Sequence, residues 1–182
     1  FPATGADGPV WSIALQADGK VVVAGNFSSF NDFPRNGITR LNDDGSLDQT
    51  FDPGNGATGT IYSIGLWPDP AGGSERIVVG GDFTTFSGET AGGIVRLNSD
   101  GSVDSNFQSG GGVLGFVNAL VVQANGAVVL GGSFNEVDGV RRINVARLNS
   151  DGSLDQTFDP GFGPDGQVID YRQIQSLPLN GR

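Results

Sequence analysis

Short apolar runs alternate with clusters of Gly, Asp and Asn along the whole chain. "VWSIAL" (10–15) is followed by the polar turn "QADGK" and by "VVVAGNF" (21–27). A longer polar stretch, "SSFNDFPRN", leads to "GITRLN" (37–42), the turn "DDG" and "SLDQTF" (46–51). The runs are rich in β-branched and aromatic residues and are bounded by turn formers, as short strands are. No stretch holds a 3.6-residue apolar period over three turns, so helix is not expected. The pattern predicts four antiparallel strands, at 10–15, 21–27, 37–42 and 46–51.

The series then recurs. Phe27, Phe83 and Phe134 are 56 and 51 residues apart, and so are Arg40, Arg96 and Arg147, and Phe51, Phe107 and Phe158. Leu15 and Leu66 are 51 apart but Val21 and Ile77 are 56 apart, which places five extra residues in "WPDPAGGSER" (67–76), where the first copy has "QADGK". A surface hairpin tolerates an insertion in such a Pro/Gly-rich turn. Four short strands in each period of 51 residues predict an all-β fold, a β-propeller segment of three four-stranded antiparallel blades. The blades fall at 10–60, 61–116 (with an inserted hairpin at 67–76) and 117–167. Residues 1–9 read as the end of a preceding blade and 168–182 as the start of a further one. Three blades and two fragments do not close a ring. The expected partners are therefore other blades of the same longer chain or, alternatively, identical chains.

"ALQADGKVVVAGNF…RLNDDGSLDQTFDPG" resembles the delta-60 repeat, a β-propeller repeat family of large bacterial secreted proteins. The spacing from "DGK" through "GNF" and "RLN" to "DGSLD" recurs in the chain. The resemblance implies a propeller in a secreted or surface-attached bacterial protein, with an extracellular or cell-surface location. It transfers no catalytic residue.

Composition narrows the chemistry. Twenty acidic and ten basic residues give a net charge of −10, which speaks against nucleic acid and anionic membrane as partners, since both call for a basic face. No apolar run approaches the roughly 18 residues of a membrane-spanning helix. There is no His, Cys or Met, so this chain alone assembles neither a Ser-His-Asp triad nor a thiolate site. No phosphate-binding loop, zinc-protease motif or nucleophile elbow is present.

The phrase "RLNDDGSLDQTFDPG" at Arg40 and its copies at Arg96 and Arg147 allow two readings. In the first, Asn42, Asp44 and Asp48 surround Ca²⁺, as do Asn98, Asp100 and Asp104, and Asn149, Asp151 and Asp155. Carboxylates spaced by two around a glycine are an EF-hand-like arrangement. Against it, Arg40 falls where the first carboxylate belongs and Phe51 where the bidentate Glu belongs. In the second reading the phrase is a hairpin with a three-residue loop and Gly45 in the left-handed conformation. Leu41 then faces Leu47, and Arg40, Arg96 and Arg147 face Asp48, Asp104 and Asp155 as structural ion pairs. Phe51, Phe107 and Phe158 become aromatics that dock one blade on the next. No cofactor is expected beyond this calcium alternative.

Ligand recognition is expected where the copies differ. The loops after the second strand carry Phe33, Arg35, Glu89, Arg141 and Arg142, together with Phe30. The inserted turn carries Trp67, Asp69 and Glu75, a constellation suited to stacking on a sugar if the indole is exposed, although packing of Trp67 against a neighbouring loop is the favoured reading. The acids outside the repeat pattern, Asp32, Glu89, Asp138 and Asp170, are too scattered to name as a glycosidase pair. The expected function is a non-enzymatic extracellular module that displays loops for adhesion or recognition of a surface glycan or protein. One alternative is a structural subunit that assembles through blade edges. Another is part of a glycan-active propeller enzyme with catalytic residues in other blades.

Overall fold

The computed structural model describes residues 4–68, 75–161, 164, 166 and 168. They form strands and turns, with no helix among the described residues. Of the segments expected to belong to further blades, residues 1–3 and 169–182 lie outside the described residues, as does the tip of the insert, 69–74.

Three like antiparallel sheets follow one another. The first pairs β1 (Val10–Leu15), β2 (Val21–Gly25) and β5 (Ile38–Leu41) in the order β1-β2-β5, with a two-stranded ribbon, β3 (Ser29–Phe30) and β4 (Phe33–Pro34), between β2 and β5 in sequence. The second repeats this with β6 (Thr60–Trp67), β7 (Arg76–Asp82) and β10 (Ile94–Leu97), and the ribbon β8 (Thr85–Phe86) and β9 (Glu89–Thr90). In the third, β11 (Val113–Val122), β12 (Val128–Val137) and β14 (Val145–Leu148) form the sheet, and β12 runs on to pair with β13 (Val140–Arg141). The base of the insert is a continued ladder, closed by the Trp67–Arg76 pair.

The expected fourth strand is present as a single bridge in each blade: Leu41 to Leu47, Leu97 to Val103 and Leu148 to Leu154. The chain then turns. Thr50 N–H donates to Asp48 Oδ1 and Phe51 N–H to the Asp48 carbonyl, so the residues after Asp48 cannot extend the ladder. A bulge interrupts each first strand at the same point, between Val10 and Ser12, Ile61 and Ser63, and Val117 and Ala119. The "GNF", "GDF" and "GSF" glycines explain themselves there. A Cβ on Gly25, Gly81 or Gly132 would lie 2.1, 2.1 or 2.0 Å from the carbonyl oxygen of Pro9, Thr60 or Phe116. The close approach is between strands of one blade, at its bulge.

The core lies between blades. Val22, Ile38 and Phe51 of the first sheet pack with Ile61, Ile77 and Val79 of the second. Val78, Ile94 and Phe107 of the second pack with Val117, Leu130 and Leu148 of the third. Phe51 and Phe107 thus seal their blade to the next, and Phe158 is buried with Ala119, Val129 and Val145.

The stretches read as polar loops are instead tight hairpins. Asn31 and Asp32, Ser87 and Gly88, and Asp138 and Gly139 all have positive φ. Two consecutive left-handed residues make the type I′ turn whose twist matches that of paired strands. Phe30 and Phe86 are buried beneath these hairpins, edge-on to Phe27 and Phe83 at 6.2 Å between centroids.

Candidate functional site

The thrice-written phrase folds as the hairpin of the second reading. Gly45, Gly101 and Gly152 have φ of 82°, 93° and 91°. Asn42 N–H donates to the Ser46 carbonyl at 2.8 Å, and Asp48 N–H to the Arg40 carbonyl at 2.9 Å. This register places each arginine beside its aspartate, with Nε donating to Oδ2 at 2.8 Å in all three copies. Each guanidinium also lies over the closing aromatic of its own blade: Arg40 over Phe51 at 4.9 Å, Arg96 over Phe107 at 4.9 Å and Arg147 over Phe158 at 4.7 Å.

The same arginines reach into the following blade. Arg40 Nη1 donates to the Ser99 carbonyl and Arg96 Nη1 to the Ser150 carbonyl, each in the turn of the next copy. Beside them, Asp52 N–H donates to the Asp100 carbonyl and Gln108 N–H to the Asp151 carbonyl, both at 2.7 Å. The phrase is therefore a joint. One blade supplies an arginine and a backbone N–H, and the next supplies two turn carbonyls.

A second cation reaches the aspartate in two of the three copies. Lys20 Nζ is 2.9 Å from Asp48 Oδ2 and Arg76 Nη1 is 3.1 Å from Asp104 Oδ2. The third copy has Ala127 at that position. Burial opposes ionisation of Asp48, but hydrogen bonds from Thr50, Lys20 and Arg40 outweigh it and hold the carboxyl well below the usual range. At Asp104 burial is likewise overcome, by the Asn106 N–H and by Arg96 and Arg76. The Thr157 hydroxyl and Arg147 lower Asp155. In contrast, burial pulls Arg96 below its ordinary value, against the attraction of Asp104.

The residues of the calcium reading are engaged in this hairpin. Asp44, Asp100 and Asp151 cap their own turns, with Oδ1 accepting from the N–H of Ser46, Ser102 and Ser153 at 2.9, 3.0 and 3.0 Å. Asn42, Asn98 and Asn149 donate from Nδ2 to the same serine hydroxyls. Among the described residues no group of three or more acidic side chains is placed to hold a metal ion.

What covers the joint differs from blade to blade. Trp67 lies over Arg96 at 5.0 Å and over Arg76 at 5.6 Å. It is buried, packed against the neighbouring blade and not offered as a stacking platform. The indole fits because Gly126 of the next blade has no side chain: a Cβ there would lie 2.5 Å from the ring. In the first blade the position of Trp67 is taken by Gln16, whose Oε1 accepts from Arg40 Nη1 at 3.4 Å. Glu75 stands where Gly126 does and accepts from Ala17 N–H at 3.2 Å. Beside this more polar pairing lies a polar cleft of about 300 Å³ between the first two blades, lined by Gln16, Asp18, Lys20, Arg40, Glu75 and Ser99. Asp69 lies outside the described residues.

The other expected recognition residues sit on the hairpins, each on its own blade. Phe33, Glu89 and Arg141 are exposed. Arg35 and Arg142 are half-buried and donate to the carbonyls of Pro34 and Arg141 at 2.8 and 2.9 Å. Asp138, outside the repeat pattern in sequence, has a structural bond: its Oδ1 accepts from Gly111 N–H at 2.9 Å. Asp170 lies outside the described residues. Lys20 and Arg76 were legible only as basic residues opening the second strand, and the Asp138-Gly139 pair carried the hairpin signal that the polar-loop reading passed over.

Three like sheets, each sealed to the next by one repeated joint, are blades of a β-propeller. The family described as Domain of unknown function (DUF5122) beta-propeller matches at residues 16–51, 76–107 and 123–158. The chain belongs to that family, the propellers of the delta-60 repeat. Each matched segment ends on a closing aromatic, Phe51, Phe107 or Phe158. No curated protein matches the chain.

Proposed function

We propose that the chain is a non-enzymatic recognition module of an extracellular or cell-surface bacterial protein, binding a glycan or protein through its hairpin tips. The observation that carries this reading is the division of labour between positions. The Arg, Asp and closing Phe of the joint are the same in all three blades, whereas the equivalent tip positions are Phe33, Glu89 and Val140. Rigid scaffolds with divergent loops are how many binding modules are built. The polar cleft beside Gln16 and Glu75 adds a second variable feature on the same scaffold. A glycan array and a panel of surface proteins, read together with a glycoside-hydrolase panel, test the proposal. Binding without turnover is expected, with at least a tenfold loss in a Phe33→Ser, Glu89→Ser, Arg141→Ser variant of unchanged melting temperature. Turnover of any substrate, or full binding by the triple variant, would overturn it.

A further inference from the structure

At the boundary between the second and third blades an indole is enclosed by four groups. Trp67 lies over Arg96 and Arg76, and Gly126, with Ser150 beside it, meets the ring edge. At the boundary between the first and second blades the equivalent positions hold Gln16 for Trp67, Arg40 for Arg96, Lys20 for Arg76, Glu75 for Gly126 and Ser99 for Ser150. All five line the polar cleft of about 300 Å³. The cleft thus stands on the joint arginine of one boundary where a ring stands on it at the next. It lies between two consecutive blades inside the chain.

The guanidinium at the base of the cleft is set up to receive such a ring. Arg40 is 6% exposed. Its Nε donates to Asp48 and its Nη1 to the Ser99 carbonyl, which together fix its plane. Phe51 lies 4.9 Å away, as Phe107 does from Arg96. The second ring on Arg96, Trp67, has no aromatic counterpart on Arg40 among the described residues, and Gln16 reaches Arg40 only at 3.4 Å. A desolvated guanidinium attracts an aromatic face more strongly than an exposed one, and a plane already fixed needs no ordering when the ligand binds.

The walls select what the ring carries. Lys20 and Arg40 lie 2.9 and 2.8 Å from the same Asp48 Oδ2, so one carboxylate answers both cations. Asp18 and Glu75 form no ion pair among the described residues. Glu75 accepts from Ala17 N–H at Oε2, and its Oε1 has no hydrogen bond among the described residues. Three carboxylates therefore stand against two cations, a balance that favours a positively charged group in the cleft. The volume is at the small end of ligand pockets, roughly 300–1,000 Å³, which limits the ligand to small-molecule size.

We infer that this cleft binds a small aromatic amine, with its ring laid on the Arg40 guanidinium as Trp67 lies on Arg96, and its ammonium directed to Glu75 and Asp18. The inference goes beyond the recognition reading. The cleft adjoins the turn before β2, whereas the hairpin tip follows the other end of that strand, so either site can fail without the other.

Tryptamine is the probe, titrated while heteronuclear NMR follows the Arg40 Nε–H and Ala17 N–H signals. A saturable shift is expected, with a Kd on the order of 1 mM, as suits a ligand of roughly a dozen heavy atoms. The stacked ring should move the Arg40 signal and leave that of Arg96, already covered by Trp67, in place. Butylamine, which carries the charge without the ring, should bind at least about tenfold more weakly. A Gln16→Trp, Glu75→Gly variant rebuilds the next boundary and fills the cleft with an indole of its own. It should keep its melting temperature and lose the tryptamine shift. Glu75→Gln changes only the charge of a half-buried side chain and should weaken tryptamine about threefold, which keeps the inference testable where the double variant does not fold. The Phe33→Ser, Glu89→Ser, Arg141→Ser variant should bind tryptamine as the wild type does. The absence of a saturable Arg40 shift would overturn the inference. So would butylamine binding as tightly as tryptamine, full tryptamine affinity in either cleft variant, or its loss in the hairpin-tip variant.

Discussion

Arg96→Ala tests whether the repeated arginine is structural. The side chain is 3% exposed and holds four contacts at once. Its Nε donates to Asp104 at 2.8 Å, its Nη1 donates to Ser150 in the next blade, and Trp67 and Phe107 lie 5.0 and 4.9 Å from the guanidinium. Removing one partner of a buried pair costs about 3–5 kcal/mol, because the other charge stays behind. Arg76, 3.1 Å from the same carboxylate oxygen, still neutralises Asp104 in part and pulls the figure to the lower end. The two cation–π contacts add about 0.5–1 kcal/mol each. A net loss of about 4–5 kcal/mol is expected, read as a fall in the urea midpoint at constant slope. Arg147→Ala should cost clearly less, because that guanidinium is part-exposed and makes no bond to a following turn among the described residues. Arg35→Ala, on a hairpin with one bond to the Pro34 carbonyl, should cost under about 1 kcal/mol. Equal losses below about 1 kcal/mol for Arg96 and Arg35 would refute the joint and return the phrase to the status of a binding site.

Acid should weaken the fold. Asp48, Asp104 and Asp155 have folded-state values held below those of the unfolded chain, so the stability they contribute is complete above about pH 4 and is lost as the pH falls through the lowered values; thermal melts from pH 7 to pH 2 should show the melting temperature dropping below pH 4, and a flat profile would contradict the ion pairs. Calcium should matter little: EDTA and added Ca²⁺ are expected to move the melting temperature by less than about 10 °C, and a larger shift, corresponding to more than about 1 kcal/mol, would restore the metal reading of Asp44, Asp100 and Asp151.

The sequence made some of this legible. Three copies of one phrase, with Arg, Leu, Gly and Asp at constant spacing, admit a single hairpin register, and that register is the one observed. Closing aromatics at the steps of the repeat, 56 and 51 residues, announce contacts between blades for the same reason. Features that depend on residues far apart in the chain were hidden. Packing was the favoured reading of Trp67, but its partner was not legible: the indole is seated by Gly126, which no local pattern connects to it. The hairpin after β2 was hard to see because Asn31-Asp32 contains no glycine, although Asp138-Gly139 in the third copy is a strong turn signal. The last strand was read as longer than it is, since alternation continues to Phe51 while the Asp48 side chain caps the turn that ends the ladder.

The pairing of Trp67 with Gly126, and of Gln16 with Glu75, makes the blades non-interchangeable. A blade carries one half of a key at the end of its first strand and one half of a lock at the start of its second. The middle blade has the tryptophan key and the glutamate lock, so it fits neither before nor after a duplicate of itself. Gene duplication of that unit alone would set an indole against a carboxylate where only a glycine hydrogen fits. Growth or shrinkage of this propeller is thereby restricted to blade orders in which each key meets its own lock, a grammar for the array written in two side chains per boundary.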